Sequence, residues 1–129
     1  MKRFMIGAIL AVALALAGCS HHNAASSPST ITPAQLAQRL AANGLCTDYA
    51  VDTSPQLGTR EQGDCTINGE SAWIATTPQG VSGADWMKQW QQALQLAGGV
   101  YIVGDRWVIS VQTQDTANRV QQVLGGTIQ

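Results

Sequence analysis

The chain has 129 residues, only 12% of them charged, with seven Lys and Arg against eight Asp and Glu for a formal net charge of −1. With no basic cluster beyond the Lys2-Arg3 pair, this balance excludes a phosphate-binding surface for nucleic acid and electrostatic adhesion to anionic lipid. The length suits one domain around a single modest core.

Lys2 and Arg3 precede an uncharged, strongly apolar run from Phe4 to Ala17. A basic start, an apolar run and small residues at its end are the parts of a secretory signal peptide, and a run of about 14 residues is too short to span a bilayer comfortably. The run closes on Leu16-Ala17-Gly18-Cys19, which resembles the lipobox of bacterial lipoproteins. That resemblance implies that the Cys19 thiol receives a diacylglyceryl group, that residues 1–18 are removed, and that the new amine takes a fatty acyl chain such as palmitate. Two or three acyl chains anchor a protein stably where one is marginal. The protein is then expected on the extracytoplasmic face of the cell membrane, or in the outer membrane or periplasm of a diderm host. A chain starting at Cys19 keeps five basic residues (Arg39, Arg60, Lys88, Arg106 and Arg119) against eight acidic ones, a formal charge of −3. With Cys19 taken by lipid, Cys46 and Cys65 remain, and an even remainder in an exported chain reads as one disulfide. Closing a loop of about 20 residues is worth about 3 kcal/mol in the chain-entropy picture. No C-x-x-C spacing supports a redox pair.

Residues 19–30 form the lipidated Cys and a flexible tether of small polar residues, with a root-mean-square reach of roughly 15–20 Å. His21 and His22 are the chain's two histidines, and both fall in this tether, where they read as solvated linker rather than metal ligands. Residues 31–129 make up the single domain. Thr32-Pro33-Ala34-Gln35 opens the first helix as N-cap, first-position proline and capping box, with Ile31 and Leu36 as a hydrophobic staple. Leu36, Ala37 and Leu40 give its apolar stripe, and Asn43-Gly44 ends it.

Cys46 to Val51 reads as a strand with Tyr49 and Val51 on one face, followed by a loop over 52–63. The runs Cys65–Ile67 and Ala72–Ala75 flank Asn68-Gly69, the strongest short-range hairpin signal. Ser82-Gly83-Ala84-Asp85 starts a second helix with Trp86, Trp90, Ala93, Leu94 and Ala97 on one side, stopped by Gly98-Gly99. Strands over Val100–Val103 and Arg106–Val111 surround a tight turn at Gly104-Asp105. Asp115 is expected to cap a third helix with Ala117, Val120, Val123 and Leu124 on its apolar side. The fold class is therefore α+β: a small antiparallel sheet of about five strands with three helices covering one face, in the order α-β-β-β-α-β-β-α, stapled by one disulfide.

Residues 31–129 contain no His, which removes Ser-His-Asp and Cys-His catalysis and His-ligated zinc, and no phosphate-binding glycine loop occurs. No cofactor is expected. A carboxylate pair is the remaining enzymatic option, drawn from Asp48, Asp52, Glu61, Asp64 and Glu70. Acids in loops and at strand ends are ordinarily solvated, so the chain reads as a non-enzyme. Trp73, Trp86, Trp90 and Trp107 are mostly core, and Trp73 and Trp86 are the candidates for a binding rim.

Beyond the lipobox, the chain is similar to small lipoproteins of actinobacteria and their phages. The likeness rests on the polar tether, Cys46 and Cys65, the Trp107-Val108 strand and the closing Leu124-Gly125-Gly126. The function expected is a non-catalytic, lipid-anchored envelope module. Its partner would be an envelope protein, a wall component or a phage protein, and not nucleic acid. The alternative implied by the likeness is a phage-encoded exclusion lipoprotein that protects a lysogen.

Overall fold

Thr32 sits in extended backbone and its side chain accepts the Gln35 N–H, while the Gln35 side chain accepts the Thr32 N–H at 2.9 Å. This reciprocal box starts helix α1, Pro33–Ala42. It ends in a Schellman closure, with Leu45 N–H bonded to Leu40 C=O and Gly44 N–H to Ala41 C=O. In a computed structural model of the chain, residues 31–53 and 58–129 are described. The expected signal peptide over 1–18, the expected lipidated Cys19 and the expected tether over 19–30 lie outside them, as does 54–57.

The remaining elements are β1 (Cys46–Asp52), β2 (Glu61–Ile67), β3 (Glu70–Thr76), α2 (Gly83–Ala97), β4 (Val100–Val103), β5 (Trp107–Val111), α3 (Gln114–Leu124) and β6 (Thr127–Ile128). They make one antiparallel sheet in the order β1-β2-β3-β5-β4-β6. The sixth strand exceeds the expected five. It follows the Gly125-Gly126 stop and pairs with β4 through Ile102–Ile128 and Val103–Thr127, too short a run for any periodicity to reveal. The turn at Asn68-Gly69 is as expected. Both residues have positive φ, +55° and +79°, which a glycine adopts freely and an asparagine tolerates.

The sheet is covered on both faces, not one. Side chains of a strand alternate between faces, so β3, β4 and β5 each supply two cores. On the first face Ile67, Ala72, Ile74, Ile102, Ile109 and Val111 pack with Leu36 and Leu40 of α1 and Ala117 and Val120 of α3. The Cys46–Cys65 disulfide, with Cα atoms 5.8 Å apart, is buried in the same core. On the second face Tyr101, Val103 and Val108 pack under Trp86, Met87 and Leu94 of α2. Both faces of the central strands being apolar is the pattern of a sheet covered twice, and Val108 facing away from Ile109 is its trace in the sequence.

β1 carries a bulge. Thr47 pairs with Thr66 but Ala50 with Asp64, so one extra residue sits on β1, and Asp48 takes φ +57° there. Tyr49 then lies over Gly63, within 2.6 Å of where a Cβ would stand, so only glycine fits beneath the ring. Helix α3 is capped by Thr113, whose side chain accepts the Thr116 N–H. Asp115 falls in the first turn instead, because the helix begins two residues earlier than a cap at Asp115 implies.

Candidate functional site

Helix α2 begins hard against the turn between β4 and β5. Gly83 donates its N–H to the Asp105 carbonyl at 2.8 Å, and a Cβ on Gly83 would stand 2.2 Å from the Gly104 oxygen. The first turn is thus the most tightly docked part of the helix. Trp86, in that turn, is 1% exposed, with its ring centroid 5.8 Å from Trp73 and 6.3 Å from Trp90. The expectation of Trp86 at a binding rim is overturned: it is the middle of a three-ring core, and only Trp73 and Trp90 keep part of their surface outside. Trp107 belongs to the opposite face.

Ala93 and Ala97, expected on the buried stripe, are exposed, and Met87 takes the buried position. The reason is that α2 lies over β4, β5 and part of β3; the second face of β1 and β2 stays open around Asp64, while Gln62, farther along β2, is buried and bonded to Thr59. Asp64 stands directly across the ladder from Trp73, which is itself opposite Ser110. Thr47, Ala50 and Asp64 are exposed on this open half. A groove of about 400 Å3 runs alongside, between the end of α2 at Ala97-Gly98-Gly99 and the strand residues Ser71, Trp73, Ser110 and Gln112. Ser71, Ser110 and Gln112 carried no signal of their own in the sequence.

Of the five acids weighed for catalysis, only Asp52 and Asp64 come together. Asp52 pairs with Gln62, two residues along β2 from Asp64, so both lie on the second face, Asp64 exposed and Asp52 part-covered beside the buried Gln62. The Gln62 amide donates to Asp52 at 2.6 Å and accepts from the Thr59 hydroxyl at 2.9 Å. Partial burial, and after it the Asp52 charge, raise the Asp64 carboxyl above its ordinary value. Asp48 is exposed in the bulge, and Glu61 lies 3.9 Å from Arg60, both side chains a little under half exposed.

Glu70 has a structural post. Its carboxylate accepts the N–H groups of Gln112 and Thr113 and, at 2.7 Å each, the hydroxyls of Thr113 and Thr116. Asn68 of the hairpin turn also donates to Thr116. The acid thereby ties the β2–β3 turn to the positive end of α3. The Thr113 hydroxyl first, then the Thr116 hydroxyl, hold Glu70 below its ordinary 4.5. A carboxyl depressed in the folded state adds stability above its unfolded pKa and loses it as pH falls through the folded value. Glu70→Gln is therefore expected to lower the thermal midpoint at pH 7. The difference from the parent chain should shrink as the medium is acidified below 4.5. Thermal unfolding across acidic pH checks this, and a constant difference would assign Glu70's contribution to shape rather than charge.

Compared with known proteins, the chain matches no family model, no curated protein and no solved structure. Among the described residues no three His, Cys, Asp or Glu side chains gather as a metal site, and no helix is long and apolar enough to cross a membrane.

Proposed function

We propose that the protein is a non-catalytic, lipid-anchored binding module held at the outer face of a cell membrane, with the open half of the second sheet face as its binding surface. The observation that carries this reading is the register of Asp64, exposed on strand surface that α2 leaves uncovered, against the part-exposed Trp73 at the border of the α2 core. A rigid sheet presents the pair without the ordering cost of a loop. The non-catalytic part rests on how the acids are used. Glu70 is committed to α3, Asp52 is held by Gln62, and no histidine exists in residues 31–129 to act as base or acid near neutral pH. The anchor rests on Leu16-Ala17-Gly18-Cys19 after its apolar run.

Cys19→Ala is expected to yield an unprocessed precursor or a soluble product, read by gel mobility and membrane fractionation. A fully processed Cys19→Ala chain retained in the membrane fraction would contradict the lipid assignment. In-cell crosslinking from position 50, exposed and opposite Asp64, followed by mass spectrometry, is expected to capture an envelope component from the otherwise native chain and to lose it in the Cys19→Ala background. Crosslinks that survive loss of the anchor would show that membrane proximity plays no part in binding.

A further inference from the structure

We propose that the groove at Trp73 takes a saccharide, one sugar ring lying on the exposed part of the Trp73 indole while its hydroxyls bond to Asp64, Ser71 and Ser110. This rests on the reading of the open face as the binding surface and names the chemistry of the ligand. About 400 Å3 falls within the range of small-ligand clefts. The lining then decides among ligand classes.

Ser71, Ser110, Gln112 and the Gly98-Gly99 backbone make most of the wall polar, with Trp73 the one large apolar surface. An acyl chain placed here would strip water from hydroxyls and amides without offering them a partner, which is costly. Phosphates and anionic headgroups are disfavoured by charge, because Asp64 stands across the ladder from Trp73 and no Lys or Arg lines the groove. A protein hot spot draws on clustered Trp, Tyr and Arg, of which the groove holds only Trp73, and the two most exposed aliphatic side chains add no apolar surface to it. Val51 (65% exposed) is paired with Gly63, on the opposite sheet face to Asp64, and Leu96 (91% exposed) lies on the side of α2 away from Trp86 and Trp90. What fits is a neutral ligand with a flat apolar face and many hydroxyls. A pyranose has both: its C–H face suits an indole ring, and its adjacent hydroxyls suit a carboxylate that accepts two hydrogen bonds.

The test titrates the full chain, in detergent, with chitotetraose, cellotetraose and, as the cationic alternative, tetralysine, following heat and tryptophan fluorescence. At least one tetrasaccharide is expected to bind. Asp64→Asn, at an exposed position where it relieves repulsion with Asp52, should keep the fold and weaken that binding about tenfold, as loss of charge-assisted hydrogen bonds does. Trp73→Phe keeps a ring against Trp86 while shrinking the sugar platform, and it too should weaken binding. Circular dichroism verifies that both variants are folded. Tetrasaccharide binding unchanged in both variants overturns the site. Binding of tetralysine alone, or of no probe, overturns the saccharide. If crosslinking from position 50 still captures a partner in that event, the open face stands as the binding surface and only its ligand class is wrong.

Discussion

Trp86→Ala is expected to lower the stability of the domain by about 3–5 kcal/mol, the usual cost of truncating a fully buried tryptophan. For a domain of this size that is a drop in thermal midpoint of roughly 12 °C or more. Trp86 is central to the second core: it lies between Trp73 and Trp90, tilted 34° and 37° to their rings, and its helix turn is locked by Gly83 against the β4–β5 turn. Removing it takes the shared neighbour from both partner rings, so α2 should loosen first while the core under α1 and α3 stays packed. Urea unfolding followed by far-ultraviolet circular dichroism checks the magnitude. Leu96→Ala, in the same helix but 91% exposed, serves as the control and should change stability by no more than about 0.5 kcal/mol. Equal midpoints for the two variants would mean that α2 is not held by its tryptophan core.

Loss of the Cys46–Cys65 bridge is the second large effect. The double variant Cys46→Ala with Cys65→Ala should cost about 3 kcal/mol, within a range of roughly 2–5 for native bridges of small domains. The sequence separation of 19 residues sets the entropy that cross-linking removes from the unfolded chain. The site of the bridge adds to the effect. β1 is an edge strand with a bulge two residues past Cys46, where the ladder to β2 is interrupted. Without the covalent link, the segment from Thr47 to Tyr49 depends on an imperfect ladder and on Tyr49 lying over Gly63. Thermal unfolding of the parent chain with and without reductant, beside the double variant, measures this. Coincident curves would remove the bridge from the account of stability.

Local signals in the sequence carried much of this structure. A two-residue turn at Asn68-Gly69 pairs Ile67 with Glu70, and counting back along both strands places Asp64 opposite Trp73. The acid–aromatic pair of the candidate site was therefore legible before any coordinates. Its third member was not. Trp73 meets Ser110 only because α2 carries the chain past the sheet to β4 and β5 returns to the centre, a pairing no turn specifies. The same nonlocal step put α2 on the second face and so buried Trp86. Helical spacing gave the side of α2 that carries tryptophan but not how far along the helix the sheet extends, which is why Ala93 and Ala97 were misplaced. The structural post of Glu70 was illegible for a similar reason. Its partners Thr113 and Thr116 are more than forty residues away, and a carboxylate bound to a distant helix end leaves no periodic trace.

The disulfide also sets how the molecule responds to mechanical load. Tension entering from the N-terminal side passes through α1 to Cys46 and crosses directly to Cys65 through the sulfur–sulfur bond. The enclosed loop, which includes Asp52, Gln62 and Asp64, is bypassed and carries no tension while that bond holds. Stretching from that end draws on α1 and on the ladders beyond Cys65, and the contour length of the loop is released only after reduction. A single-molecule pull should record that hidden length as an extra extension step appearing with reductant. The half of the candidate site contributed by β1 and β2 is thus shielded from any drag acting on the chain that precedes the domain.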